Sequence, residues 1–581
     1  MSVSSEQDHA RLRRARLRRL VPICVFVGLA AVMTWPLPLR PATQLPLGTS
    51  SAATVPMFNV WTIWWNADRL AHGLDGYWDA PIFAPVEDTF ALSEPQPATW
   101  IVSPVVWTAG PVLAANAYLW IALTLNGLTA FSLLRSQRLT WFASLAGGCL
   151  IETLPFVQWQ LGVLQLVPLC GVFWTIQTLR SFSLRPSLKH GFLVGLAFAV
   201  TYLICGHTAL LLSLLLTPAA IWYPGKAMFS REGWTGLVVA VGTAVLALSP
   251  VVLHQMQVLE NRSGGEDAQG WRRTLPERIA LSLQLTDYLF PLKSPDAADV
   301  HGRARNWPAS PGWLTMTVAL PGAVFGLTRR RWRRWTAFLL TILCAAVALS
   351  LGPNLLIAGW RPYESLADVW PGLAHIRNVF RFAQFAQIAT VLLACLAFHT
   401  LSLTARRLRS RQLRLSRLLS WTAPAAGLLC LLQIPPSGCP AFDVPAVSAS
   451  DQWIATVRSE ASEDTVVCLP LSSGNRLKDW ELTTLWMYRA TFHQQVLVNG
   501  YSGYFPPDYL AFRKAVNNSF PGEAAYQALS DRGVTVCVVD RNTVSRDHIE
   551  LTGNGRWFLQ WIAGDDQRNI DVYRLMERSP Q

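Results

Sequence analysis

The sequence predicts an α-helical polytopic membrane protein with an α/β domain at its carboxyl end. Of its 581 residues 51% are hydrophobic and only 15% are charged, whereas a soluble globular domain carries about 25% charged residues. The apolar residues are gathered into runs of about 20, the length that crosses a bilayer. From about residue 435 onward the composition becomes that of a soluble domain. These observations exclude an ordinary soluble enzyme.

Eleven apolar runs predict the membrane spans. They lie at 20–38, 114–134, 139–157, 162–179, 190–204, 206–222, 235–253, 310–328, 336–352, 382–404 and 418–434. Gly206 and His207 are the only break between two of these runs. One long tilted helix is therefore the alternative for 190–222.

The distribution of Lys and Arg predicts the orientation, because cytoplasmic flanks retain positive charge. A basic segment, 1–19, precedes the first span, and five further basic groups fall on the same side of the bilayer in the count of spans. These are Arg135 and Arg138; Arg180, Arg185 and Lys189; Lys226 and Arg231; Arg329 to Arg334; and Arg406 to Arg417. The formal net charge of +13 is thus topological, and we expect no nucleic-acid partner.

This orientation divides the chain into three predicted parts. A cytoplasmic amino terminus at 1–19 is followed by a transmembrane domain at 20–434, and an extracytoplasmic domain occupies 435–581. The transmembrane domain carries outer loops at 39–113, 254–309 and 353–381.

The tail alternates strand-like and helix-like runs, which predicts a small α/β domain with a mainly parallel sheet. The strand-like runs are 465–469, 496–499, 534–539, 557–562 and 570–574, and the helix-like runs are 479–493, 507–516 and 522–532. Cys468 and Cys537 fall within strand-like runs, so we expect them to be buried rather than redox-active. The domain could bind an acceptor or glycan, or cap a membrane cavity.

Several motifs of soluble enzymes are missing from the sequence. It has no Walker A motif, no HExxH and no GxGxxG, and Gly500-Tyr501-Ser502-Gly503-Tyr504 fails the GxSxG pattern at its last position. ATP-driven transport and nicotinamide chemistry therefore lose most of their support. Any chemistry must come from the outer loops or from the spans that face them.

The first outer loop predicts a Trp-rich helix over 55–70. Phe58, Trp61 and Trp65 lie on one side of it, so we expect a helix on the membrane surface, with a simple interfacial anchor as the alternative. The loop is also rich in acidic residues, namely Asp68, Asp75, Asp79, Glu87, Asp88 and Glu94.

Five segments together resemble polytopic GT-C-type glycosyltransferases, particularly bacterial members related to the protein mannosyltransferase and aminoarabinose transferase superfamily. They are Thr34-Trp35-Pro36; the Trp-x-x-Pro-x-Phe-x-Pro segment at 78–85; Ala115-Asn116-Ala117-Tyr118; Pro371 to Phe382; and Met487 to Pro507. The resemblance covers most of the chain.

The resemblance implies a GT-C-like transmembrane fold and a sugar transfer on the outer face of the bacterial cytoplasmic membrane. The donor would be a polyprenyl-phosphate sugar, the acceptor an envelope lipid, glycan or protein, and the usual outcome inversion. Such proteins usually carry an acidic residue just before or within the surface helix, where this chain has Thr54-Val55-Pro56. This departure supports the alternative of a non-enzymatic transport or envelope-assembly protein on a GT-C-like scaffold.

Transfer requires a carboxylate to deprotonate the acceptor hydroxyl, and three residues are candidates. Asp79 follows Trp78 in a proline-punctuated stretch, with a turn or helix-cap carboxylate as the alternative. Glu94 lies where the loop returns toward the membrane, and its alternative is a solvated rim charge. Glu152 lies at the outer end of a span, where a carboxylate is a functional candidate by default and an interfacial side chain otherwise. Asp68, next to Arg69, is interpreted as a local surface ion pair.

Transfer also requires cations for the leaving lipid phosphate. Arg377 and Arg381 are four residues apart, which predicts a shared helix face able to clamp a phosphate. His375 is a weaker member of the same site, and the alternative for the pair is interfacial arginines contacting lipid headgroups. His207 and His254 are interpreted as packing residues. No metal-ligand spacing recurs among the histidines, so the sequence does not indicate a cofactor, and a divalent metal stays an open alternative. The predicted partners are the bilayer and the lipid-linked donor.

The consistent alternation of the basic loops predicts that the carboxyl terminus lies outside the cytoplasm. We expect an alkaline phosphatase fusion at the carboxyl terminus to be active in cells. A fusion of normal abundance that is inactive would contradict the count of spans.

Overall fold

The computed structural model describes residues 20–47, 52–222, 229–263, 273–289, 308–408, 412–433, 439–461, 464–552 and 555–578. The predicted amino-terminal segment 1–19 and two parts of the predicted loop at 254–309, namely 264–272 and 290–307, lie outside these ranges. The chain divides into two compact units. The first, here called the helical unit, comprises 1–39, 119–252 and 269–440. The second, the loop–tail unit, comprises 40–118, 253–268 and 441–581. The predicted boundary near residue 435 stays a prediction.

The helices of the helical unit follow the predicted spans closely in most places. They are α1 (Leu20–Met33), α4 (Pro111–Ser136), α5 (Trp141–Glu152), α6 (Pro155–Trp159), α7 (Cys170–Leu184), α8 (Leu188–Ile204), α9 (Gly206–Ala219), α10 (Arg231–Ser263), α11 (Leu275–Ala280), α12 (Trp313–Thr328), α13 (Arg333–Ser350), α14 (Pro362–Val369), α15 (Ala383–Leu408) and α16 (Leu413–Leu432). Of these, α4 and α10 continue into the loop–tail unit.

Four described stretches are long and apolar enough to cross a membrane. They are Pro111–Ser136, Arg231–Val258, Arg333–Ser350 and Val379–Leu408. Five shorter apolar helices accompany them, and the number of eleven spans stays a prediction. The break within 190–222 is confirmed, because Cys205 has an extended backbone between α8 and α9.

Two predicted spans are wrong in detail. The run 139–157 is not one helix, because α5 ends at Glu152 and α6 begins at Pro155. Proline excludes the helical conformation from the residue before it, and Leu154 accordingly has φ −51° and ψ 136°. The run 162–179 is shifted, since its helix begins only at Cys170 and ends at Leu184.

The loop–tail unit contains α2 (Thr54–Ala71), α3 (Ser103–Ala109), α17 (Gln452–Glu460), α18 (Glu481–His493), α19 (Tyr509–Ser519), α20 (Glu523–Ser530) and α21 (Arg546–Thr552). Its strands are β1 (Gln44–Pro46), β2 (Ala441–Asp443), β3 (Thr465–Leu469), β4 (Val496–Leu497), β5 (Val534–Asp540), β6 (Trp557–Asp565) and β7 (Ile570–Glu577). All five predicted strands and all three predicted helices of the tail are thus present.

The five-stranded sheet has the order β4-β3-β5-β7-β6 and is mixed rather than mainly parallel. Strands β4, β3 and β5 are parallel, but β7 runs antiparallel to both β5 and β6. The short connection after Asp565 accounts for the antiparallel pair of β6 and β7, since a parallel pair needs a crossover of about a dozen residues or more. Cys468 and Cys537 are fully buried in β3 and β5, as predicted.

The Trp-rich helix α2 is buried inside the loop–tail unit. Phe58, Trp61 and Trp65 are between 1% and 6% exposed, and α2 packs against α18 of the tail. The amino terminus of α2 is tied to the same region: the amide of Ala53 donates to the Glu481 carboxylate at 2.7 Å. The prediction that this aromatic face lies on the membrane surface is therefore wrong.

Substitution of the aromatic face of α2 tests this packing. We expect Trp61→Ala to lower the stability of the full-length protein by about 3–5 kcal/mol, as for other buried aromatic truncations. Trp64, half-buried on the same helix, is the matched control. Thermal unfolding in detergent measures both variants, and an equal or larger loss for Trp64→Ala would contradict the buried arrangement.

Candidate active site

Asp79 lies in the turn region that follows α2, and its side chain is exposed. Its Oδ1 accepts a hydrogen bond from the backbone amide of Asp88 at 2.8 Å. The Asp79 amide donates to the carbonyl of Gly76 at 3.1 Å. The carboxylate therefore closes the loop between the two aspartates.

Asp88 contacts a residue that sequence reasoning assigned to packing. Its Oδ1 lies 2.8 Å from Nε2 of His254 on α10, and the two side chains are 38% and 27% exposed. The His254 ring is stacked on the indole of Trp78, with centroids 4.4 Å apart and an interplanar angle of 13°. The Trp78 indole and the Asp88 carboxylate thus both restrain the orientation of the His254 imidazole.

Glu94 follows Asp88 in the same loop, and its side chain is half-buried. The residue before it, Ser93, accepts a hydrogen bond through its carbonyl from Nε2 of Gln255 at 3.1 Å. Two consecutive residues of α10, His254 and Gln255, therefore bind the loop that carries Asp88 and Ser93.

Aromatic side chains of α2 and of the loop pack around the buried ring of Phe90, close in sequence to Asp79 and Asp88. Phe90 contacts the rings of Trp65, Tyr77 and Trp78 at centroid distances between 5.2 and 6.4 Å. The Tyr77 hydroxyl donates to Oδ1 of Asn66 at 2.8 Å. Burial raises the pKa of Tyr77 well above its usual range, so the hydroxyl remains protonated and keeps this bond.

Asp68 forms the local ion pair that the sequence predicts. Its carboxylate accepts from Nε of Arg69 at 2.8 Å. The Arg69 guanidinium also lies 4.5 Å from the centroid of the Trp65 ring. Asp68 is thus held within α2.

Glu152 belongs to the helical unit, at the last position of α5. It is fully buried, and neither carboxylate oxygen has a hydrogen-bond partner among the described residues. A Cβ atom added at Gly127 of α4 would lie 2.9 Å from Oε2 and also against the ring of Phe26. The Glu152 carboxylate therefore packs against α4 at Gly127, which has no side chain to displace it.

The three predicted phosphate ligands occupy one short stretch of the helical unit. His375 ends a short 3₁₀ helix at Leu373–His375, and Arg381 lies in a second one at Val379–Phe382 that leads into α15. Arg377 lies between them outside any helix, so the prediction of one shared helix face for the arginine pair is wrong. Arg377 and His375 are exposed and Arg381 is half-buried.

Backbone hydrogen bonds fix this cationic stretch to the segment 273–289. The amide of Arg273 donates to Ala374 at 3.2 Å, and the amide of Phe380 donates to Leu281 at 2.9 Å. The neighbouring side chain of Arg278 is paired with Glu364 at 2.6 Å. The backbone on either side of Arg377 is therefore held in place by hydrogen bonds to the segment 273–289.

The structure thus groups the predicted residues within each unit. Asp79 and Glu94 lie near the Asp88–His254 pair in the loop–tail unit, and His375, Arg377 and Arg381 form the cationic stretch of the helical unit. Sequence reasoning missed His254 because its partner is 166 positions away, and no local pattern joins the two. Within the described residues no group of three or more His, Cys, Asp or Glu side chains could hold a metal ion.

Comparison with solved structures identifies the fold. The arabinofuranosyltransferase AftD from Mycobacteria matches 96% of this chain with a TM-score of 0.55 and 13% identity in one class, and with a TM-score of 0.50 in another. The fold is of the GT-C type. This chain spans only 41% of the AftD chain.

A second GT-C-type protein is similar to a lesser degree. The archaeal oligosaccharyltransferase AglB from Archaeoglobus fulgidus, in complex with an inhibitory peptide and a dolichol-phosphate, matches 90% of this chain and 69% of its own with 12% identity and a TM-score of 0.47. No protein-family model matches the sequence, and no curated protein matches it significantly.

Proposed function

We propose that this protein is an integral-membrane glycosyltransferase that moves a sugar from a polyprenyl-phosphate donor to an envelope acceptor, with inversion. The observation that carries the proposal is the GT-C-type fold, shared with an arabinofuranosyltransferase over 96% of the chain. The four long apolar helices agree with an integral-membrane enzyme.

The proposed location is the cytoplasmic membrane of a bacterium, with the amino terminus inside and the tail outside. The basic loops support this orientation, because Lys and Arg are retained on the cytoplasmic side. Transfer would then occur on the outer face, where the acid-rich loop at 39–113 and the cationic stretch at 375–381 are expected.

Arg377 and Arg381, with His375, are proposed to bind the donor phosphate. Guanidinium groups bind phosphate through paired N–H donors and stabilise the negative charge that develops on a leaving phosphate. Their ordered backbone supports this role, since the phosphate would meet positioned cations. For the base, Asp79, Glu94 and Glu152 stay the candidates predicted from sequence, and the hydrogen bond from the Asp88 amide already engages Asp79.

The alternative of a non-enzymatic transport or envelope-assembly protein depends on the missing acid at Thr54-Val55-Pro56. A carboxylate does lie at the amino terminus of α2, because Glu481 accepts a hydrogen bond from the Ala53 amide. The absence of an acid in this stretch of sequence is therefore weak support for a lost activity, and we favour the enzyme.

Reconstituted full-length protein supplied with radiolabelled polyprenyl-phosphate sugars and extracted envelope acceptors tests the proposal. We expect label to leave at least one donor only when the protein is present. Donors that all remain intact, with protein that is folded and inserted, would favour the non-enzymatic alternative.

Replacement of the arginines tests the phosphate site. Arg377→Gln and Arg381→Gln should each lower donor binding or turnover by about 10- to 100-fold, the effect of losing a charged hydrogen bond worth about 1.5–3 kcal/mol. Lys should restore only part of it, because it lacks the planar fork. Arg414→Gln, at an exposed position of α16, is the matched control. Unchanged donor binding in both folded variants would assign the arginines to lipid headgroups.

A further inference from the structure

We propose that His254, oriented by Asp88, takes the proton from the acceptor hydroxyl during transfer. The inference rests on the proposed function and names a residue for its chemistry. It begins from the 2.8 Å contact between Nε2 of His254 and Oδ1 of Asp88. Within the described residues the only hydrogen bond at the His254 ring is the one at Nε2, so no described group binds Nδ1.

The surroundings hold this imidazole in one orientation. Trp78 stacks on the ring with planes 13° apart, and Gln255 binds the loop at Ser93 one residue further along α10. Asp88 has φ +53°, a left-handed conformation that costs a non-glycine residue free energy and is frequent at functional sites. The backbone amide of Asp88 donates a hydrogen bond to the Asp79 carboxylate.

The chemistry follows from which ring nitrogen Asp88 binds. When Asp88 accepts from Nε2–H, the lone pair lies on Nδ1, as an orienting carboxylate fixes the tautomer of a catalytic histidine. The acceptor oxygen then forms a bond to the anomeric carbon while its proton moves to Nδ1. The bond from that carbon to the phosphate oxygen breaks, and its electron pair leaves with the polyprenyl phosphate. The imidazolium, stabilised by Asp88, returns the proton to water.

This assignment gives Asp79 a different role from the base that the sequence predicts. Its carboxylate oxygen accepts from the Asp88 amide, and an asparagine oxygen can accept the same bond. Asp79 is thus a positioning residue for Asp88.

The test uses full-length protein in proteoliposomes and a donor that wild type consumes. We expect His254→Gln to lower turnover by at least about 100-fold, the low end for a general base, while donor binding is retained. Asp88→Asn should also lower turnover, because the orienting carboxylate is lost, and Asp88→Glu, which keeps a carboxylate, should retain more turnover than Asp88→Asn. Asp79→Asn should lose much less turnover than His254→Gln, because the asparagine oxygen can still accept the hydrogen bond from the Asp88 amide. His72→Gln, the same substitution at a histidine that is 61% exposed just after α2, is the matched control and should change neither turnover nor donor binding.

Chemical rescue separates catalysis from folding. His254→Ala should regain part of its turnover when imidazole is added, which a purely structural histidine would not do. Full turnover in folded His254→Gln, full turnover in folded Asp88→Asn, or no rescue of His254→Ala by imidazole would each overturn the assignment. A loss of about 100-fold in Asp79→Asn would return the base to Asp79. If wild type consumes no donor, the proposed function itself fails and the assignment falls with it.

Discussion

The aromatic face of α2 is the contact on which the loop–tail unit depends. Phe58 meets Tyr501 of the tail at a centroid distance of 5.4 Å, and Trp61 meets Phe90 of the loop at 6.1 Å. Each fully buried aromatic side chain contributes about 1.5–3 kcal/mol relative to exposure. Because α2 contacts both loop and tail, its burial joins segments that are several hundred residues apart in the sequence.

This packing also fixes the backbone that carries the exposed acidic groups of the loop. Asn66, fully buried on α2, donates to the carbonyl of Pro95 at 2.7 Å, and the indole of Trp65 donates to the carbonyl of Tyr77 at 3.0 Å. The stretch between Tyr77 and Pro95 carries Asp79 and Asp88. A rigid buried side thus supports a polar exposed side, the usual way in which a loop positions functional residues.

Much of the fold could be predicted from the sequence because hydrophobic runs and strand periodicity are local. The break at Pro155 and the hairpin of β6 and β7 were also visible in principle, as a proline inside a span and as a connection too short for a parallel pair. The burial of α2 was not visible, since an aromatic helix face looks the same whether it meets lipid or protein. The pairing of His254 with Asp88 has no local signal, because it depends on how α10 meets the loop.

The central claim is that α2 belongs to the core of the loop–tail unit and does not owe its order to the bilayer. Hydrogen exchange of the amides of 54–71 in full-length protein tests it most directly. The structure predicts strong protection that matches that of α18 and is the same in detergent micelles and in lipid bilayers. Protection of α2 that appears only in bilayers, while α18 remains protected in both, would contradict the claim.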